Sequence, residues 1–118
     1  MNRKELEDRL IDFAVTTAEI IREMPNDKFA NHLANQLVRS STSPALNYGE
    51  TQGAESKKDF IHKMSVVLKE LRESLICLII IKRSGSYQSE DIVKRNIAES
   101  NELVSIFYRS IQTASKRK

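Results

Sequence analysis

Leu6, Leu10, Phe13, Thr17, Ile20 and Met24 follow one another at steps of four, three, four, three and four. That spacing puts all six on one side of an α-helix; a strand, which repeats every second residue, cannot use it. The rhythm returns three times. Ala30, Leu33, Ala34, Leu37, Ser41, Ala45 and Tyr48 form a second stripe. Phe60, Met64, Val67, Leu68, Leu71, Leu75 and Leu78 form a third. Ile92, Asn96, Leu103, Phe107 and Ile111, joined by Ile97, Val104 and Ala114, form a fourth. Four helices of about 20 residues with short connections pack as an antiparallel up-and-down bundle. The expected fold is therefore all-α, one domain over residues 1–118. With 3 Gly and 2 Pro the chain could hardly supply the turns of an all-β fold.

The punctuation agrees with this division. Pro25 closes the first helix, expected over about Lys4–Met24, because the residue before a proline avoids the α region. Asn26 or Asp27 can cap the next. The second stripe passes through Pro44 without losing phase, so this helix is expected to continue with a kink and to end between Gly49 and Gly53. A proline inside a helix removes a hydrogen bond and costs about 3 kcal/mol; neighbouring Ser and Thr hydroxyls can offset part of that. Ser56 is a cap for the third helix, with Asp59 placed to bond back to it. Lys82 and Arg83 suit a helix C-terminus, and Ser84-Gly85-Ser86 a turn, with Gly85 left-handed. Ser89 can cap the fourth helix, followed by Glu90 and Asp91. The tail, residues 115–118 (SKRK), is expected to fray.

Two stretches exceed what a bundle needs. Residues 75–81, LICLIII, are apolar around the whole helix circumference. A helix apolar all round must be covered all round. Ile76, Ile79, Ile80 and Ile81 are thus expected to meet a second copy of the chain, unless the 84–90 loop or the N-terminal segment caps them. On the second helix, Gln36, Arg39, Ser43, Asn47 and Glu50 lie within about 80° of one another. This polar stripe is either a solvent face or a hydrogen-bonding ladder for a partner.

Charge is unevenly spread. The net +3 divides into −3 over residues 1–56, +4 over 57–83, −2 over 84–93 and +4 over 94–118. Lys58, His62, Ser65, Lys69 and Arg72 line one edge of the third helix at steps of four, three, four and three, with Lys57 and Lys63 nearby. This points to a polyanion, RNA or DNA, held through its backbone at Lys57, Lys58, His62, Lys69 and Arg72. A solvated charged surface is the plainer alternative. Three Tyr, four Phe and no Trp, with most Phe in core stripes, argue against base stacking.

Other chemistries find little support. His32 and His62 stand alone, without the Glu-x-x-His or His-x-x-x-His spacing of a metal-binding bundle, so no metal is expected. Gly49 and Gly53 lack the Gly-Lys-Ser/Thr ending of a phosphate loop. The one cysteine, Cys77, cannot form an internal disulfide and reads as a buried thiol. No enzymatic activity and no cofactor are expected. The N-terminus MNRKELEDRL lacks the apolar core of a signal peptide, and LICLIII is far shorter than the ~20 residues of a membrane span. A cytoplasmic protein with no membrane contact is the expectation.

Gln36-Leu37-x-Arg39, Ser43 followed by Asn47 and Glu50, and Ser56-Lys57-Lys58-Asp59-Phe60 resemble the bacterial four-helix-bundle proteins encoded in ribosomal-RNA intervening sequences, the S23-like family. The accessory variability determinant of diversity-generating retroelements is a relative. The likeness covers nearly the whole chain. It implies a four-helix bundle, a homo-oligomer assembled as a pentameric ring, and no catalysis. In the retroelement relatives a basic surface is associated with nucleic acid and with a reverse transcriptase. Arg39, Ser43, Asn47 and Glu50 match the family's polar motif; Lys58, Lys69 and Arg72 come from charge alone. Ala45 and Thr51 depart from the family, which favours Pro or a small residue and Gly at those two positions. Two functions follow: a non-catalytic oligomer that binds nucleic acid, or an adaptor for a neighbouring gene product such as a reverse transcriptase.

Overall fold

The computed structural model describes residues 1–85 and 89–117. The expected Ser86 turn position and the final residue of the tail, Lys118, lie outside them. Four helices follow in order: α1 (Arg3–Arg22), α2 (Lys28–Glu50), α3 (Lys57–Ser84) and α4 (Glu90–Lys116). Each packs on its chain neighbours, and α1 meets α4 to close the bundle; α1 and α3 lie diagonally opposite, their backbones farther apart than those of neighbouring helices. The bundle measures 49 × 23 × 21 Å.

Caps fix the helix starts. The Asn2 side chain accepts from the Glu5 N–H, Asp27 from the Ala30 N–H, and Ser56 from the Asp59 N–H. Asp59 returns its bond one residue early: its Oδ2 accepts from the Glu55 N–H (3.1 Å), not from Ser56. Ser89 occupies the cap position of α4 but makes no side-chain capping bond. At the other ends, α1 stops at Arg22, two residues short of the expected limit, so that the chain can leave helical geometry before Pro25. Gly85 terminates α3 with φ +69°, the left-handed conformation expected there. α4 reaches Lys116, with the Ser115 hydroxyl bonded to the Ile111 carbonyl.

α2 is unbroken through Pro44, which is itself buried. The nearby hydroxyls do not turn to Ser40, whose carbonyl Pro44 leaves without its usual donor. Thr42 donates to the Val38 (2.8 Å) and Arg39 (3.3 Å) carbonyls, and Ser41 to Val38 (3.4 Å). A 3₁₀ turn, Thr51–Gly53, follows α2.

The α1 stripe is the α1 contribution to the core: Leu6, Leu10, Phe13, Thr17 and Ile20 are buried, with Met24 packed against them. The other stripes need correction. On α3 the core position is Ser74, fully buried, while Leu75 is half-buried beside it. On α2, Ser40 and Pro44 are buried where Ala34 and Ala45 are only half-buried. On α4, Val93 and Ser100 join Asn96, Leu103 and Phe107 inside. Ser100 satisfies its hydroxyl on the Ile97 carbonyl of its own helix (3.0 Å), whereas other small polar residues of the core bond across helices. Ser74 Oγ donates to Ser40 Oγ (3.0 Å), joining α3 to α2. Asn96 Nδ2 donates to Thr17 Oγ1 (2.7 Å), joining α4 to α1, and that hydroxyl donates on to the Phe13 carbonyl (2.8 Å). Buried polar groups satisfied in this way fix which layers face each other. At the rim, Arg9 grips Glu99 with two nitrogens (2.6 and 3.0 Å) and Glu102 with the third (3.1 Å), clamping α1 to α4.

The apolar run in α3 divides. Ile81 was expected in an interface between copies; it is only 2% exposed and belongs to the core of its own chain. It lies three residues after Leu78 and seven after Ser74, in phase with the buried stripe. Ile79 is half-buried. Ile76 and Ile80 stay outside, 56% and 37% exposed.

Candidate nucleic-acid interface

The outer face of α3 brings together most of the basic residues read from the sequence; Lys57, in phase with the buried Met64 and Leu71, stands off that face at the start of the helix. Lys57, Lys58, His62, Lys69 and Arg72 are all exposed, as are Lys82 and Arg83. The three acids of this helix, Asp59, Glu70 and Glu73, are half-buried, Glu70 near Arg39 of α2 and Glu73 in the groove beside α2. Every exposed charged side chain on α3 is therefore basic. None of Lys57, Lys58, Lys69, Arg72, Lys82 and Arg83 forms an ion pair among the described residues. Lys63 differs: it pairs with Asp59 at 2.9 Å, which raises the lysine pKa and lowers the aspartate's, so it is not a free cation.

Ile76 and Ile80 continue the same face. By helical phase Lys58, His62, Lys69, Ile76 and Ile80 fall within about 40° of one another. The face thus reads basic in its first half and apolar in its second, with Arg72 at the boundary. Beside it, an open groove of about 690 Å³ runs between α2 and α3. Gln36 and Ser40 border it from α2, and Lys69, Glu73, Ile76 and Cys77 from α3. Burial, with the nearby Glu73 carboxylate adding to it, pushes the Cys77 thiol pKa up, so the thiol is poorly ionised. Glu70 is raised as well, first by burial and then by Glu73, with Arg39 and Lys69 opposing; its Oε2 is buried without a hydrogen-bond partner.

The polar motif of α2 is met largely from within the helix. Arg39 Nη2 donates to Gln36 Oε1 (2.7 Å), and Asn47 Nδ2 to the Ser43 carbonyl (2.9 Å). Arg39 and Glu50 are exposed, while Ser43 and Asn47 are half-buried. The four do not converge on one point. A feature the sequence did not reveal lies on the inner side of the same end of α2. The Arg3 guanidinium stacks over the Tyr48 ring at 5.5 Å, and that ring meets Phe107 edge-on. This stack secures the start of α1, a structural role. Among the described residues no group of His, Cys, Asp or Glu could hold a metal ion, and no helix is long and apolar enough to cross a membrane.

The model of the 23S rRNA-intervening sequence protein family matches residues 5–109. The chain belongs to that family. A solved structure from Bacteroides thetaiotaomicron, described as a protein of unknown function from the S23 ribosomal protein family, is 26% identical. The match covers 95% of this chain and 99% of that one, with a TM-score of 0.82. No curated protein sequence matches. Membership in the intervening-sequence family agrees with the resemblance carried by Gln36 to Arg39 and Ser56 to Phe60, and the shared bundle extends over almost the entire length.

Proposed function

We propose that this protein is a non-catalytic, self-associating helical bundle that binds nucleic acid through the phosphate backbone, along the first half of the outer face of α3. One observation carries the reading: the exposed charges of α3 are all basic and none has an acidic partner. Like charges without counter-charges repel one another and hold counterions. A phosphate chain replaces those ions and releases them, which favours binding. Lys58 and Lys69 lie eleven residues apart on that face, about 17 Å along a helix, a span that covers several phosphates of a duplex. Among the described residues the large exposed aromatics, Phe29 and Tyr108, are on other helices, which favours backbone contact over base stacking. The family's description refers to intervening sequences of 23S rRNA, which makes RNA the polymer to try first.

The test is retention of a short RNA duplex at low salt by the wild-type chain and by Lys57→Glu/Lys58→Glu/Lys69→Glu. These side chains are exposed and unpaired, so the triple variant should keep its helical circular dichroism. The expected result is binding by the wild type and loss of binding by the variant. No binding by the wild type, or equal binding by the two, would refute the proposal.

A further inference from the structure

Ile76 and Ile80 sit one turn apart on the outside of α3, with Arg72 before them and Arg83 after them, all four exposed. On the diagonally opposite helix, Ile11 and Val15 sit one turn apart on the outside of α1, 43% and 55% exposed. Asp8 precedes them and Glu19 follows, both exposed. Each set of four falls within about 80° of its helix circumference. One face therefore reads acid, apolar, apolar, acid, and the other base, apolar, apolar, base, over closely similar spacings. A chain cannot bring its own two faces together, because they point away from each other across the bundle.

We infer that the outer face of α1 in one copy packs on the outer face of α3 in the next. Parallel pairing sets Ile11 against Ile76 and Val15 against Ile80, with Asp8 toward Arg72 and Glu19 toward Arg83. Within a bundle of this topology α1 and α3 run the same way, so parallel pairing lets every copy keep one orientation through the assembly. Such a contact is heterologous: each copy offers two different surfaces, and assembly proceeds beyond a dimer. The apolar pairs supply the burial, and the flanking charges set register and exclude the like-with-like contacts of α1 on α1 or α3 on α3. The Lys4–Asp8 pair is exposed on both sides and competes weakly. In this register α1 begins beside Leu68, so Lys57, Lys58 and His62 extend past the neighbouring helix and stay open to a polyanion, while Lys69 lies at its edge, level with Lys4 of the next copy. The inference rests on the self-association stated above and names the surfaces that carry it.

The test uses two variants at outward positions, Val15→Asp and Ile80→Asp, with masses measured by sedimentation. The wild type is expected at three or more chains and each variant alone at one. Mixed, the variants should form a 1:1 complex of twice the 13.5 kDa chain mass, because Val15→Asp keeps a working α3 face and Ile80→Asp a working α1 face. Arg72→Glu/Arg83→Glu should be monomeric, and Asp8→Lys/Glu19→Lys placed in the same chain should restore assembly. A wild-type monomer would overturn self-association itself. A wild-type dimer, a Val15→Asp variant that retains the wild-type mass, or a mixture that stays monomeric would overturn only this pairing.

Discussion

Thr17 and Asn96 allow a quantitative test of how the bundle sets its layers. Asn96 is 3% exposed and Thr17 fully buried. Thr17→Val keeps the shape but removes the acceptor of the Asn96 amide, leaving a buried donor unpaired. That costs the full desolvation of the group, about 1–3 kcal/mol. Asn96→Leu removes the donor, but the Thr17 hydroxyl keeps its bond to the Phe13 carbonyl, so the loss should stay at or below about 1 kcal/mol. The double variant replaces both partners with apolar groups of similar size and should lie within about 1 kcal/mol of the wild type. A double-mutant cycle by urea unfolding, at one fixed protein concentration because association adds to apparent stability, should return a coupling of at least about 1 kcal/mol. Costs that simply add to within about 0.5 kcal/mol would refute the claim that this pair acts as a unit.

Three further outcomes follow from particular side chains. Glu70 has a raised folded-state pKa, so the folded chain binds more protons than the unfolded one between the ordinary carboxylic value and the raised one. The Glu70 contribution is therefore favourable at low pH and is lost as pH rises through that window. Glu70→Gln should be more stable than the wild type at neutral pH and lose that advantage in acid; equal stability at both would contradict the assignment. Gly85→Ala, placed at φ +69° with open space around it, should cost about 1 kcal/mol by denaturant midpoint, from backbone conformation alone. The Cys77 thiol should react with a neutral alkylating reagent more slowly than a free thiol at mildly alkaline pH, and unfolding with urea should remove the difference.

Much of the fold could be read before the structure, and the exceptions have a physical pattern. The α1 stripe needed no partner to be recognised, since apolar residues at steps of three and four bury wherever they meet another helix. Pro44 could be placed inside α2 because the stripe held its phase on both sides. Ser40, Ser74 and Ser100 were missed because hydrophobicity is a property of one residue, whereas their burial depends on a bond to another atom of the fold. Ile81 was misassigned for a related reason. In a run apolar all round, composition does not say which side faces in, although the phase set by Met64, Val67, Leu71 and Leu78 points to residues 74 and 81. At the candidate interface, the basic residues of α3 were visible in the sequence. That Glu70 and Glu73 turn toward α2 while the cations stay unpaired was not, because that depends on where α2 lies. Lys63 shows the same limit: its charge is plain in the sequence, and its pairing with Asp59 appears only in three dimensions.

The account depends most on the unpaired cations of α3 meeting a polyanion. The direct measurement is the affinity for a nucleic-acid duplex, by fluorescence anisotropy, across a series of salt concentrations. Lys57, Lys58 and Lys69 together should give a slope of log K against log salt of about −3 or steeper, and Lys57→Glu/Lys58→Glu/Lys69→Glu should flatten it toward zero. A wild-type slope near zero, or a slope that the triple variant leaves unchanged, would contradict the account.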